Sequence, residues 1–237
     1  MTRLRVALAA LSAACAISLG ATVLTNAQQA SPVPTPQSSF GFAACADRKL
    51  ATYEQIADYF RALDTASERL QLEEIGTSVG GRPMLMAVIS SEANLKDVAR
   101  YKGIAQRLAR AKGLTDEQAR ALAREGKAVM WVDFGLHSSE LAHAQTAPEF
   151  AYRVVSEESD EMRFIRDNVI LVLVPNMNPD GTTLWADWYM KHVGGPFERS
   201  SLPELYHHYI GHDNNRDWFM MTQPETRAVA RQLYEQW

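Results

Sequence analysis

The sequence predicts an α/β domain on a mainly parallel sheet, and three observations carry that expectation. Asn168–Val174 is a continuous apolar run, as expected for a strand buried on both faces. Val129, Met130, Trp131 and Val132, with Phe134, form an apolar, β-prone run that meets Gly135 just before a helix-like segment. Between and around these two runs, strand patterns alternate with helical ones, the arrangement that places helices over a parallel sheet.

The N-terminus stands apart from this domain. MTRLR carries Arg3 and Arg5, an uncharged stretch to Leu24 follows, and Thr25-Asn26-Ala27 offers small residues suited to a signal peptidase. Residues 1–27 are therefore expected to be a cleaved secretory signal, directing the protein to the periplasm or outside the cell. Cleavage takes the formal charge from −4 to −6 and leaves no stable membrane association. No basic stripe speaks for nucleic acid. Of the two cysteines, Cys15 falls in the signal, so Cys45 is expected unpaired. Gln28–Gln37 is rich in Pro and Ser, and residues 28–48 are expected to be a disordered linker before a domain over 49–237.

Within that domain, Thr52–Leu63 has Tyr53, Ile56, Tyr59, Phe60 and Leu63 at helical spacing. Leu70–Val79 and Pro83–Ser90 read as strands joined through Gly80-Gly81 in a hairpin. Asn94–Ala111 reads as a helix with a solvated face of Lys96, Arg100, Arg107 and Arg110. Thr115-Asp-Glu-Gln118 has the capping-box pattern of a short helix to about Arg124. The strand from Ala128 leads into a helix over Ser139–Val155, and Glu157–Asp160 reads as an acidic surface turn. Pro175–Gly181 (PNMNPDG) is turn-rich, and Thr182–Ile210 reads as an irregular, aromatic loop or lid. Pro224-Glu225 opens a final helix.

His137-Ser-Ser-Glu140 follows the central strand. A neutral imidazole and a carboxylate three residues apart at a strand-to-helix turn are a metal-ligand pair, and zinc accepts both at about 2.0–2.2 Å. Alone the pattern equally describes a half-buried His beside a Glu that favours the helix dipole. In a parallel sheet, ligands bind at the carboxyl ends of strands, and both His137-x-x-Glu140 and Asn178-Pro-Asp-Gly181 would lie there.

Three motifs in order, His137-x-x-Glu140, Asn178-Pro-Asp-Gly181 and Asp213-Asn-Asn-Arg216-Asp-Trp218, resemble the zinc carboxypeptidase family of the carboxypeptidase A/B type, over roughly Leu70 to Trp237. The resemblance implies a three-layer α/β/α sandwich on a mixed sheet and one Zn2+. It implies His137 and Glu140 as two zinc ligands, and Asn215 and Arg216 as the pair holding a peptide's free terminal carboxylate. A guanidinium suits that task because its planar fork bonds both oxygens. Asp213 matches the acid that bonds the first zinc His from behind and fixes its tautomer. The Asn178–Gly181 motif is expected to be structural.

The chain also departs from the family pattern. The second zinc His and the general-base Glu come later than the Asn-Arg motif in the family, yet no His follows Arg216 here. Glu225 opens a helix and Glu235 lies near the terminus, so neither fits the base. Only Arg199 lies where the oxyanion arginine belongs, in a context that does not match. His192, His207, His208 and His212 are expected in packing, surface or non-family roles, His212 alone lying beside Asp213. The missing groups are expected past Trp237. Three functions follow: a metallocarboxypeptidase hydrolysing C-terminal peptide bonds, a zinc amidase or D,L-carboxypeptidase acting on peptidoglycan-type or N-acyl amino acid substrates, and a non-catalytic module that binds C-terminal carboxylates.

Overall fold

The computed structural model describes residues 33–205, 207 and 214–237. The expected signal, the first residues of the expected linker, and the motif residue Asp213 lie outside the described residues.

The hairpin forms as expected, with strand β1 (Leu70–Thr77) antiparallel to β2 (Pro83–Ile89). Gly81 closes its turn at a φ of 85°, a left-handed conformation that only glycine adopts without strain. Strands β3 (Ala128–Asp133) and β4 (Val169–Val174) pair parallel, and β2 pairs antiparallel with β4. The sheet order is β1-β2-β4-β3. The sheet is mixed, and its parallel part among the described residues is the β3–β4 pair. That pair brings two carboxyl ends side by side, with the β1–β2 turn at the same edge.

Side chains alternate across this sheet with a period of two, and each face has its own core. Ala87, Ile89, Leu171 and Leu173 face helices α1 (Pro36–Phe40), α2 (Tyr53–Ala66) and α6 (Leu141–Ser156). Met84, Met86, Val88, Ile170, Val172 and Val174 face α3 (Glu92–Lys96), α4 (Val98–Arg110) and α9 (Pro224–Ala230). The result is an α/β/α layering. Among its remaining helices, α5 (Asp116–Glu125) begins with the full Thr115/Gln118 capping box.

Several segments differ from expectation. Residues 33–48 are not a free linker: Thr35 caps α1, and Val33 and Phe40 are buried. Phe40 packs 5.9 Å from the Tyr59 ring, and Tyr59 Oη donates to Pro34 O. Two apolar residues with an aromatic seat on α2 outweigh the Pro- and Ser-rich composition. The helix expected over Asn94–Ala111 breaks at Asp97 into α3 and α4. The acidic turn at Glu157 leads into α7 (Asp160–Asn168), capped by Ser159. Arg166 on α7 is buried and donates to Val154 O and Glu157 O at the end of α6. Its pKa is held below the usual arginine value by burial, with Arg69 adding to the effect.

The largest difference is α8 (Pro179–His192), which takes up much of the expected irregular loop. Asn178 caps it by accepting from Gly181 N, Pro179 occupies the first turn, and Asp180 sits at its positive end. The turn-like sequence is a helix start.

Candidate metal centre

The loop after β3 is set by its neighbours at the sheet edge. Phe134 N donates to Val174 O and Met177 N donates to Phe134 O, continuing the parallel ladder past the strands. Gly135 follows at a φ of 66°, and a Cβ there would meet the Asn176 side chain at 2.8 Å. Asn176 is committed in turn, donating to Thr182 Oγ1 and accepting from Asn178 N. A Cβ on Gly181 would stand 2.6 Å from Ser138, so the missing side chain lets α8 close on the His137 loop.

Asp180 has a separate task. Its carboxylate accepts from Ser78 Oγ at 2.8 Å, Gly80 N at 2.7 Å and Arg82 Nη1 at 2.9 Å, all in the hairpin turn. Arg82 also donates to Glu54, and Thr183 Oγ1 donates to the other oxygen of Glu54. Burial raises the Glu54 pKa, but the hydrogen bonds and the Arg82 charge outweigh it and hold the carboxyl below its ordinary value. The Asn178–Gly181 motif therefore ties α8 to both flanking loops.

His137 lies on the loop held this way. Its Nδ1 is 3.1 Å from Glu140 Oε2, and Asn215 Nδ2 donates to its Nε2 at 2.8 Å. Glu140 is the residue just before α6, and its side chain makes no capping bond. It is therefore free to face the imidazole.

The Asn214–Arg216 turn reaches this loop from far along the chain. Asn214 is buried and donates to Met177 O. Asp217 is buried and accepts from Thr222 N, Thr222 Oγ1 and Gln223 N, which fixes the exit of the turn to the start of α9. Burial raises the pKa of Asp217, yet these bonds win and leave it below the usual carboxylate value. Arg216 is exposed, and among the described residues its guanidinium has no ion-pair partner.

Of the expected site residues, His137, Glu140 and Asn215 are thus brought into contact, and Arg216 stands next to them in the chain. Asp213 lies outside the described residues, as do His208 and His212. His207 is buried 3.8 Å from the equally buried Glu225, whose Oε1 accepts from Val79 N. Glu225 thus ties the start of α9 to the β1–β2 turn. His192 packs 4.2 Å from the Trp188 ring. Sequence reasoning missed His143, whose Nδ1 lies 3.4 Å from Glu140 Oε2. Its signal was the spacing His-x-x-Glu-x-x-His. No three His, Cys, Asp or Glu side chains among the described residues form a ready-made metal cage.

Three comparisons with known proteins complete the description. Among curated proteins the comparison found no match. Solved structures include a protein from Shewanella denitrificans OS-217, provisionally described as a carboxypeptidase A, at 17% identity and TM-score 0.51. That likeness covers 79% of this chain and 37% of the other, and it supports the fold. Carboxypeptidase A from Helicoverpa armigera is similar at 16% identity, over 85% of this chain and 48% of that one, with TM-score 0.49. Metallo-carboxypeptidase from Burkholderia cenocepacia is similar at 20% identity, over 76% and 37%, with TM-score 0.48. This chain thus spans less than half the length of each. The family model for zinc carboxypeptidases matches residues 56–235, well over half of the sequence. The chain belongs to the zinc carboxypeptidase family.

Proposed function

We propose that the chain forms the metal- and carboxylate-binding part of an exported metallocarboxypeptidase that hydrolyses C-terminal peptide bonds. One observation carries this reading: Asn215 is hydrogen-bonded to His137, so the exposed Arg216, next to Asn215 in the chain, stands close to a His-Glu donor pair. The donors fit zinc, since an imidazole nitrogen and a carboxylate oxygen 3.1 Å apart are both half open to solvent. Zinc, when bound, supplies a water acidified toward neutral pH and an electrophile for the scissile carbonyl.

The protein's own residues do the rest. His137 and Glu140 would hold the ion. Arg216 would bind the terminal carboxylate of a peptide through its planar fork, two parallel bonds that fix the chain end in orientation as well as place. Asn215 would keep that clamp in register with His137. Binding the chain end at a fixed distance from the ion makes the enzyme an exopeptidase, because only the last peptide bond reaches the reacting position. No general base is assigned among the described residues. Export rests on the N-terminal pattern of Arg3, Arg5 and the uncharged run after them.

Arg216→Ala should raise KM and lower kcat/KM by about 100-fold for peptides with a free carboxylate, the loss of roughly 3 kcal/mol of charge-assisted bonding. Amidated peptides should be poor substrates of both forms. If amidation hurt the wild type no more than the mutant, Arg216 would not be the clamp. The export signal also favours a second substrate class, peptidoglycan-type stem peptides, and a panel with D- and L-terminal residues separates the two.

A further inference from the structure

The crossover from β2 to β3 carries a helical hairpin that adds almost nothing to the core. Helix α4 buries only Ile104, and α5 buries no residue. What the hairpin concentrates is charge. Residues 98–127 hold eight Lys or Arg and three Asp or Glu, a net charge of +5, while the whole chain is at −4 and its remainder at −9. We propose that the α4–α5 hairpin is a docking surface for an anionic phospholipid membrane, engaged by reversible electrostatic adsorption without insertion.

Part of this charge is already committed. Arg100 is paired with Asp97 and Glu125, and Arg120 with Asp116. Lys102 lies over the Trp237 ring, and Lys127 donates to Asp167 O. Arg107, Arg110, Lys112 and Arg124 remain. All four are exposed, and among the described residues none has an ion-pair partner. The last turn of a helix favours cations, which accounts singly for Arg107 and Arg110 in α4 and for Arg124 in α5. It does not account for Lys112, in the turn beyond α4, or for a run from Val98 to Thr115 with five basic residues and no acidic one.

Shape selects the occupant. Arg100, Gly103, Arg107 and Arg110 follow at helical spacing along one side of α4, opposite Tyr101, Ile104 and Leu108, over about 20 Å. A Cβ on Gly103 would meet nothing within 4 Å, so among the described residues nothing stands over that side. The exposed large hydrophobic side chains of the described residues all lie outside 98–127. An open cationic side with no large apolar anchor suits an extended plane of phosphate headgroups, where each Lys or Arg near the surface strengthens adsorption about 5-fold. The negative remainder of the chain is repelled by the same plane, which turns the hairpin toward it.

The test is vesicle binding. The 237-residue chain is sedimented with vesicles of phosphatidylcholine alone and of phosphatidylcholine mixed with phosphatidylglycerol, so that any contribution of its N-terminal apolar run appears with both. A preference for the mixed vesicles is expected, and it should fade toward about 1 M salt, where the Debye length is about 3 Å. Arg107→Gln, Arg110→Gln and Lys112→Gln together should cut the preference by roughly 100-fold. All three side chains are exposed, so the triple variant should fold, and far-UV circular dichroism checks this. Arg107→Lys with Arg110→Lys keeps the charge and should bind as wild type does. An undiminished preference in the folded triple variant would overturn the proposal, as would a wild-type chain that does not distinguish the two vesicles. So would a preference lost in Arg3→Gln with Arg5→Gln but kept in the triple variant, which would place it at the N-terminus. Tighter retention by soluble polyphosphate than by the mixed vesicles would make a soluble polyanion the occupant and would also overturn it.

Discussion

Asp180 is the residue whose removal tests most sharply how the site edge is held. Its carboxylate accepts three bonds from the β1–β2 turn, from Ser78, Gly80 and Arg82. These are not equal. Gly80 N is exposed, so water replaces Asp180 there at little cost. Arg82 keeps Glu54 and lies near the surface, where an ion pair contributes about 0–1 kcal/mol. Ser78 is buried, so its hydroxyl loses a partner that solvent cannot replace, at roughly 1.5–3 kcal/mol for a bond to a charged group. The expected cost of Asp180→Ala is therefore about 2–4 kcal/mol. Urea unfolding at pH 7 measures it. A cycle with Ser78→Ala should show a coupling of about 1–2 kcal/mol, since the two side chains touch. Zinc stoichiometry of the folded chain should not change. A cost under about 0.5 kcal/mol, or no coupling to Ser78, would refute the staple described here.

Three further substitutions follow from the same edge and core. Gly181→Ala gains helix propensity but drives a methyl into Ser138, so a net loss of about 1–2 kcal/mol is expected in thermal unfolding; a raised Tm would contradict the close approach. Gln145 is buried and bonds both Ala51 N and Ala51 O, so Gln145→Ala should cost about 2–4 kcal/mol, and a neutral result in the same assay would be inconsistent with that clasp. Asp217 has a depressed pKa in the fold, so its contribution is present in full above the unfolded value near 4 and fades as pH falls through the folded one. The urea midpoints of wild type and Asp217→Asn should differ from pH 7 to about pH 4 and converge below it; a gap that persists undiminished to pH 2.5 would show that Asp217 does not carry that stability.

The parts of the fold legible in the sequence were those whose burial follows one clean period. β4 is apolar at every position because both faces are covered, and α2 shows its stripe because one side lies on the sheet. β3 could be read from its apolar residues as well, although among the described residues it lies at the end of the sheet with no fully buried position. Helix α8 could not. Its buried residues are Pro179, Gly181, Thr182, Thr183 and Ala186, small or polar groups chosen for close approach to loops, so no apolar stripe marks it. The Val33–Phe40 segment was hidden by the opposite effect, a Pro- and Ser-rich composition with only two apolar anchors.

The candidate site was legible where the order of motifs in the chain carried it, and illegible where it depends on a contact across the chain. His137 and Glu140 announce themselves three residues apart, but that Asn215 would bond His137 follows only from a closed circuit of tertiary bonds. Phe134 pairs with Val174, Met177 returns to Phe134, Asn214 donates to Met177, and Asn215 completes the circuit at His137. Every link but the last two is backbone to backbone, so no side-chain pattern records it. His143 was overlooked for another reason: it stands on the exposed side of a helix whose buried side, Ala144, Ala147 and Ala151, dominates the pattern. A periodicity that reports burial is blind to the open face, and that is the face on which His143 stands beside Glu140.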